Sequence, residues 1–203
     1  ATCVKWSPDE TKFAVSSGAK CVSVCYFEQE NDWWVSKHIK KHKSTVTSVA
    51  WHPNSIILAT CSSDFKCRLF SAFVSGCDQP SQNSPFPNSD RFGQPLAEYT
   101  AYGWVHCAAW SPSGNVLGFV SHDSSITFVT LNGGEQRIPL NNLPFRAIVF
   151  LDEGSAVAAG HDNNPMLFKN QGGQWGLVKE IDGGNAKKVV QTSAASQARQ
   201  MLE

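Results

Sequence analysis

A pattern that recurs along the chain constrains its fold more than any other feature of the sequence. Four apolar segments each end in an aromatic residue, and a Pro or Asp follows two positions later, where a turn is favoured. The aromatic residues are Trp6, Trp51, Trp110 and Phe150, at intervals of 45, 59 and 40 positions. Intervals of 40–45 residues are typical of a four-stranded propeller blade, so the longer interval indicates an insertion.

Each repeat continues with three further segments of alternating or β-branched character, separated by turns. They predict second strands at 12–17, 56–62, 116–121 and 156–160, third strands at 22–27, 67–73, 126–131 and 166–169, and weaker outer strands at 33–39, 96–100, 135–139 and 177–181. No helical period occurs before about residue 185. The sequence therefore predicts an all-β fold over 1–181, with blades at about 1–41, 42–100, 101–139 and 140–181.

Composition narrows the function classes. The chain has 17 Lys and Arg residues and 17 Asp and Glu residues, and this zero net charge argues against nonspecific binding to nucleic acid. No apolar run reaches the 18 or so residues that a membrane span needs. The seven cysteines form no CxxC pair and sit mostly in strand-like segments, which predicts reduced thiols and a cytoplasmic protein, with a disulfide framework as the alternative.

The segment 42–73 resembles a repeat of the WD-repeat family. His42, Thr60 or Ser62, Asp64 and Phe70 fall where that family places His, Ser/Thr, Asp and Trp. An Asp in this turn can accept hydrogen bonds from the His and from turn N–H groups, and so lock the blade. Phe70 cannot donate as a Trp does, so we expect a shortened network there. Asp123 and Asp162 occupy the corresponding turns of the next two repeats, which have no His at the position equivalent to His42.

A longer series of motifs is more specific. It comprises residues 22–35 (VSVCYFEQENDWWV), 37–41 (KHIKK), 62–72 (SSDFKCRLFSA), 103–106 (GWVH), 120–124 (VSHDS) and 157–162 (VAAGHD). In this order the motifs resemble the WD-repeat subunits of the actin-related protein two/three complex. The resemblance implies a closed seven-bladed propeller, of which this chain would supply about four blades, with blades missing at both ends.

The same resemblance implies a non-catalytic scaffold in a complex that nucleates branched actin filaments. Its implied partners are the actin-related proteins and other subunits of that complex, the actin filament and nucleation-promoting activators. Its implied location is the cytoplasmic actin cytoskeleton, in cortical patches or lamellar networks. The alternative is a WD-repeat scaffold or adaptor of another cytosolic assembly.

Two motifs near residue 40 are candidate partner-binding sites. Trp33 and Trp34 are consecutive, so strand alternation would point one inward and one outward, and an exposed Trp is a good interface anchor. Packing of both between blades is the other interpretation. Lys40 and Lys41 belong to the densest basic run, which could meet an acidic partner or phosphoinositide headgroups. The favoured interpretation is a solvated outer strand, on which edge lysines deter aggregation.

Two further segments are less regular. The Pro-, Ser- and Asn-rich stretch 74–95 predicts either a flexible insertion or a docking loop that uses Phe86 and Phe92. Residues 182–203 predict an insert or linker, either disordered or an amphipathic helix with Met201 and Leu202 on its apolar face.

No constellation predicts an enzyme, a cofactor or a metal. The pairs His122-Asp123 and His161-Asp162 sit in equivalent turns of different blades, so we expect them to be held apart rather than to converge on a metal ion. The glycine pairs at 133–134, 172–173 and 183–184 have hairpin spacing rather than that of a phosphate loop. The sequence therefore predicts no catalytic, cofactor-binding or metal-ligating residues.

Overall fold

The computed structural model describes residues 1–79, 86–87, 89–131 and 134–181, and every regular element in these ranges is a β-strand. No helix in these ranges is long and apolar enough to cross a membrane. The sixteen strands are β1 (Cys3–Trp6), β2 (Lys12–Ser16), β3 (Val22–Glu28), β4 (Trp33–Ile39), β5 (Val46–Trp51), β6 (Ile57–Ser62), β7 (Lys66–Ser71), β8 (Pro95–Thr100), β9 (Val105–Trp110), β10 (Val116–Ser121), β11 (Ser125–Thr130), β12 (Gly134–Pro139), β13 (Phe145–Asp152), β14 (Ser155–Gly160), β15 (Met166–Gln171) and β16 (Gln174–Glu180).

Each set of four consecutive strands forms one antiparallel sheet, in the order β1-β2-β3-β4, β5-β6-β7-β8, β9-β10-β11-β12 and β13-β14-β15-β16. The prediction of an all-β fold with four propeller blades is confirmed, and we number the blades 1 to 4 in chain order. The largest difference from the predicted strands lies in the last hairpin, where β16 begins three residues earlier. Gly172 and Gly173, both at positive φ, close that hairpin in two residues and let both strands extend.

The blades stand side by side in chain order, with their first strands adjacent. β1 contacts β5, β5 contacts β9, and β9 contacts β13. A cluster of buried apolar side chains fills each space between neighbouring blades, and Phe70, Phe119 and Phe168 represent the three clusters in chain order. All three side chains are fully buried. Burial of each contributes about 1.5–3 kcal/mol, so packing between blades is a major source of stability.

The repeated tryptophan has a repeated structural role. At the end of β5, the indole N–H of Trp51 donates to the carbonyl of Lys5 in blade 1, at 2.9 Å. At the end of β9, the indole N–H of Trp110 donates to the carbonyl of Ala50 in blade 2, at 3.2 Å. Each bond joins the first strand of one blade to that of the preceding blade. The recurring aromatic residue therefore links adjacent blades, although Phe150 in blade 4 has no N–H to donate.

The blades at the two ends of the arc each expose an apolar face. On blade 1, Trp6 and Trp34 are 54% and 52% exposed. On blade 4, Val149 and Leu151 are 54% and 61% exposed. By contrast, first-strand residues of the inner blades such as Val105 are fully buried. In a propeller, faces of this kind pack against a neighbouring blade.

Candidate protein-interaction surfaces

The turn of blade 2 carries a hydrogen-bonded network that ties its strands together. His42 Nε2 lies 2.7 Å from Thr60 Oγ1, and the Thr60 hydroxyl donates to the carbonyl of Arg68 at 3.1 Å. Asp64 Oδ2 accepts from the backbone N–H of Lys43 at 2.8 Å and from the guanidinium of Arg68 at 2.7 Å. The same guanidinium contacts His42 Nδ1 at 2.7 Å. The network therefore joins β6, β7 and the segment that leads into β5.

These contacts fix the protonation of the network. His42 Nδ1 lies 2.7 Å from Arg68 Nη1 and 3.3 Å from Asp64 Oδ2. The shorter contact is to a group that can only donate, which favours Nδ1 as the acceptor and places the proton on Nε2. Burial lowers the pKa of His42, although the nearby Asp64 opposes that shift. Burial favours the neutral form of Asp64, but the Lys43 N–H and the Arg68 guanidinium outweigh it and hold the pKa of Asp64 below its usual value. At neutral pH the network holds a neutral imidazole and an ionised carboxylate.

Arg68 and Glu98 extend this network beyond what the motif predicts. Arg68 Nε donates to Glu98 Oε2 at 2.8 Å, and the two residues are direct cross-strand partners on β7 and β8. Phe70 is fully buried, with its ring centroid 6.0 Å from that of His42, so it contributes packing and no hydrogen bond. The sequence alone does not indicate the extension, because the pairing of Arg68 with Glu98 depends on the register of β7 with β8.

The acids in the next two turns, Asp123 and Asp162, differ from each other in the groups that they bind. Asp123 accepts from Ser121 and, at 2.8 Å, from Ser125, and it pairs with Arg137 Nη2 at 2.7 Å, so it ties β10, β11 and β12 within blade 3. Asp162 Oδ2 accepts the backbone N–H of Leu143 at 2.6 Å. Asp162 thus holds the connection that leads into its own blade, as Asp64 does in blade 2.

Trp33 and Trp34 are both exposed, by 60% and 52%. Neither ring is buried within this arc of four blades, so the expectation that one of them points inward stays a prediction for the full-length protein. Trp33 lies at the tip of the β3–β4 hairpin, where its indole N–H donates to Glu28 at 3.3 Å. Trp34 lies on the uncovered face of blade 1, with its ring centroid 6.1 Å from Trp6 and 5.7 Å from Phe27. The pair forms part of an exposed aromatic surface at the outer edge of the blade.

Lys40 and Lys41 lie in the exposed segment between β4 and β5, and neither forms an ion pair with a described residue. Lys41 borders an open groove on blade 2 that also contains Asp64 and Glu98. Both carboxylates are already engaged, Asp64 by Arg68 and Glu98 by Arg68 and Lys66. The two lysines therefore contribute positive charge that the groove does not neutralise.

Phe86 and Phe92, in the loop between β7 and β8, contact the protein's own core. Phe86 packs against the cluster between blades 2 and 3, whereas Phe92 packs against the cluster between blades 1 and 2. The ammonium of Lys37 also lies 5.6 Å from the centroid of the Phe92 ring. The described part of this loop therefore straddles blade 2, with apolar contacts on both sides, and residues 80–85 and 88 lie outside the described ranges.

A buried ion pair fixes the start of the same loop. Lys12, on β2 of blade 1, is fully buried, and its Nζ lies 2.6 Å from Asp78 Oδ1. Nζ also donates to the carbonyl of Ala72 at 3.3 Å, and it lies 5.4 Å from the ring centroid of Trp51. Asp78 in turn accepts the N–H of Val74 at 2.6 Å. Lys12 is a structural residue that sequence reasoning did not single out, because a lysine on an alternating strand indicates a solvated side chain.

Two other predictions concern the tail and metals. Met201 and Leu202, with the whole segment 182–203, lie outside the described residues. The expectation that the turns of His122 and His161 are held apart is wrong, because adjacent blades bring the two ring centroids to 6.3 Å. Within the described ranges, no group of three or more His, Cys, Asp and Glu side chains could hold a metal ion. The seven cysteines are free thiols.

Comparisons with known proteins add two findings. The family described as WD domain, G-beta repeat, matches residues 33–71 and 93–129. Among curated proteins, the chain is 44% identical to actin-related protein 2/3 complex subunit 1B of Arabidopsis thaliana, over 100% of this chain and 54% of that protein. It is 48% identical to subunit 1A-B of Xenopus laevis, over 90% and 51% of the two chains. It is 43% identical to subunit 1 of Schizosaccharomyces pombe, over 92% and 52%. The chain thus spans about half the length of the curated relatives it matches.

Proposed function

The chain belongs to the actin-related protein 2/3 complex subunit 1 family of WD-repeat proteins, and from this membership we propose that it is a non-catalytic scaffold subunit of that actin-nucleating complex. The similarity that carries the proposal covers nine tenths or more of the chain in relatives from a plant, a frog and a yeast. Its proposed partners are actin-related proteins, the other subunits, the actin filament and nucleation-promoting activators. The proposed role is to support nucleation and branching through protein–protein contacts.

The exposed surfaces support a scaffold role. Trp33 and Trp34 present large aromatic area at the edge of blade 1, and aromatic residues are enriched among the anchors of protein interfaces. Lys40 and Lys41 present uncompensated positive charge nearby, which suits an acidic partner surface. We assign partner contacts to Trp33, Lys40 and Lys41, whereas Trp34 belongs with Trp6 to the end face of blade 1 that a further blade would cover. For Phe86 and Phe92, the internal packing favours a role in shaping the loop, and the proposed contacts of Met201 and Leu202 concern the segment beyond residue 181.

The apolar faces at the ends of the arc support a larger propeller. We propose that in the full-length protein they pack against further blades, to a total of seven. Alternating exposed residues on β1 and β13, including Trp6 and Leu151, have the apolar character of the buried faces between blades 1 to 4.

Co-purification tests the proposed assembly. The full-length protein, carrying an affinity tag and expressed from its own promoter, is isolated at near-physiological salt, and its partners are quantified by mass spectrometry. We expect two actin-related proteins at near-equal stoichiometry with the bait. A stable complex that lacks actin-related proteins would show that this WD-repeat chain serves another assembly.

Variants at the edge of blade 1 test the assigned surface. In the tagged protein, Trp33→Ser together with Lys40→Glu and Lys41→Glu is expected to lower recovery of at least one subunit by about tenfold, because aromatic anchors at interfaces contribute about 2 kcal/mol or more. Tyr102→Ser with Lys179→Glu is the matched control, since these residues are exposed on other blades. Equal recovery with both variants would place the contacts elsewhere.

Localisation follows from the same proposal. A fluorescent fusion is expected to lie in the cytoplasm and to concentrate with filamentous actin, in cortical patches or lamellar networks according to cell type. The concentration should disperse when filaments are depolymerised. A fusion distributed without regard to actin would contradict the proposal.

A further inference from the structure

A chain of hydrogen bonds joins blades 3 and 4 where the β10–β11 and β14–β15 turns meet. Arg146, on β13, places Nη1 3.2 Å from His106 Nδ1. His106, on β9, places Nε2 2.9 Å from His122 Nδ1 in the β10–β11 turn. His106 is buried, with 8% of its surface exposed, whereas Arg146 and His122 are exposed. A buried imidazole therefore connects a surface guanidinium to a second surface imidazole.

The direction of this chain follows from the groups themselves. A guanidinium only donates, so His106 Nδ1 accepts and its proton resides on Nε2. That proton is donated to His122 Nδ1, which leaves the proton of His122 on its own Nε2. Hydrogen bonds in series polarise one another, and here the series begins at a cation. It ends in an exposed N–H donor for which the structure shows no acceptor among the described residues.

A third imidazole and an indole ring lie near this donor. The His161 ring centroid is 6.3 Å from that of His122, and the exposed Trp104 ring is 5.4 Å from it on another side. Asp123, which follows His122, pairs with Arg137, whereas Asp162, which follows His161, accepts the Leu143 N–H and forms no ion pair with a described residue. Arg146 makes no ion pair with a described residue. The Arg146 guanidinium therefore keeps its positive charge, and the two exposed imidazoles beside it contribute N–H donors.

The titration of His106 is consistent with that charge. Burial, followed by the influence of Arg146, His122 and His161, lowers the pKa of His106 to about 4. At neutral pH His106 therefore carries a single proton, on Nε2, and the series of donors from Arg146 to His122 is maintained.

We propose that Arg146, His122 and His161, with His106 as the connecting group, form a binding site for a phosphate group. A phosphate presents three or more acceptor oxygens and about two negative charges, which matches a guanidinium beside two imidazole edges better than the two oxygens of a carboxylate. The phosphate comes either from a phosphorylated side chain of a partner or from free inorganic phosphate. This site does not depend on the proposed assembly, because it rests on residues within this chain.

Phosphorus NMR tests the site in the full-length protein, within its complex if it is isolated as one. The probe is inorganic phosphate at pH 7.5 and constant ionic strength, and the observable is the broadening of its resonance by slow tumbling when bound. We expect saturable broadening. Arg146→Gln and His122→Phe should each weaken apparent affinity by about tenfold or more, because each removes a donor to a charged acceptor. Lys179→Gln, which removes an exposed positive charge on the outer strand of blade 4, should change it less than twofold.

Competition then identifies the source of the phosphate. Displacement by a phosphoserine peptide at lower concentration than by phosphate would assign the site to a phosphorylated partner, whereas weaker displacement by the peptide would assign it to free phosphate. Both outcomes support a phosphate site. Equal broadening in all variants, or displacement by acetate as effective as by phosphate, would overturn it. His161→Gln changes an exposed residue of the site, so weaker phosphate binding by this variant cannot be attributed to unfolding. Thermal melting shows whether the Arg146 and His122 variants are folded.

Discussion

At the scale of single residues, the fold depends on a few side chains whose environment is unusual for their type. His52 is one example, because its buried ring receives the Asn54 N–H at Nδ1 and donates from Nε2 to the Gly114 carbonyl at 3.2 Å. This bond links the β5–β6 turn of blade 2 to the β9–β10 turn of blade 3. Its close approach is possible only because residue 114 has no side chain.

Gly114→Ala is expected to destabilise the protein strongly. A Cβ at this position would lie 2.1 Å from His52 Nε2, and the backbone φ is +80°. Gly76→Ala is the control, since its φ is +97° and nothing lies within 4 Å of the added Cβ. We expect the control to cost about 1–2 kcal/mol from backbone strain, and Gly114→Ala to cost at least about 2 kcal/mol more. Urea unfolding measures both, and equal losses would show that the His52 ring moves aside freely.

Acidification should weaken the protein through His106. Its pKa is about 4 in the folded state against 6.5 for an exposed imidazole, so below 6.5 the unfolded chain binds the proton more readily. The free energy of unfolding is therefore expected to fall as pH drops from about 6.5 towards 4, and to stop responding to this residue below that. His106→Gln should show a shallower decline over this window, whereas His38→Gln, at an exposed position, should follow the wild type. Identical pH profiles for all three proteins would exclude this role.

At the scale of elements, neighbouring blades are joined by contacts that repeat with the sequence and by others that occur once. The indole bonds of Trp51 and Trp110 recur, each from the end of a first strand to the first strand of the preceding blade. The Lys12–Asp78 pair occurs once and ties blade 1 to the loop of blade 2. The two kinds of contact should respond differently to mutation.

Trp51→Phe and Trp110→Phe are each expected to destabilise by about 1–2 kcal/mol. Each change keeps an aromatic ring but removes the N–H that the preceding strand accepts, so one inter-blade hydrogen bond is lost. Trp33→Phe, at the exposed hairpin tip, should stay within about 0.5 kcal/mol of the wild type. The shift of the denaturation midpoint at constant slope provides the measurement. A loss at Trp33 equal to that at Trp51 would contradict the inter-blade role.

Asp78→Ala should be more damaging than removal of both partners. The single change leaves the fully buried Lys12 ammonium without its counter-charge, which typically costs about 3–5 kcal/mol. Lys12→Met in combination with Asp78→Ala replaces the charge by an apolar chain of similar length, so we expect at least half of the lost stability to return. Thermal melting of the wild type, the single variant and the double variant tests this. A double variant no more stable than Asp78→Ala would show that the unpaired Lys12 charge is not the cause of the lost stability.

At the scale of the whole molecule, the arc of four blades leaves two apolar faces uncovered, and the proposed seven-bladed propeller assigns them to further blades. An unpaired charge introduced at a buried position lowers the free energy of unfolding, whereas the same charge at an exposed position changes it little. The loss of stability caused by a charged substitution on a face therefore reports whether that face is covered in the full-length protein.

Leu151→Asp is expected to destabilise the full-length protein by about 2 kcal/mol or more. Leu151 is 61% exposed on β13, and coverage by a neighbouring blade would bury the new carboxylate. Leu143→Asp is the control, because Leu143 is 54% exposed in a connection between blades and should shift stability by no more than about 0.5 kcal/mol. Comparable thermal melts for the two variants would show that the face of blade 4 remains open.

What the sequence predicts well is local. Alternation within segments of four to eight residues, Pro and Gly at the turns, and a recurring aromatic residue are enough to locate four blades and most strand ends. Strand formation and turn geometry depend on neighbours in the chain, which is why local patterns suffice. The Asp64 network was also foreseeable, since its His and Asp belong to one repeat. Its extension to Arg68 and Glu98 required the register of β7 with β8.

What only the tertiary structure decided is how the blades face one another. The Lys12–Asp78 pair joins residues 66 positions apart, and the Arg146–His106 contact joins residues 40 apart. Neither lies within a periodic pattern. The exposure of both Trp33 and Trp34, and the meeting of His122 with His161, likewise depend on which sheet faces are covered and on where adjacent turns meet. Strand periodicity fixes the side of a sheet on which a residue lies, whereas the packing of one sheet against the next determines what that side contacts.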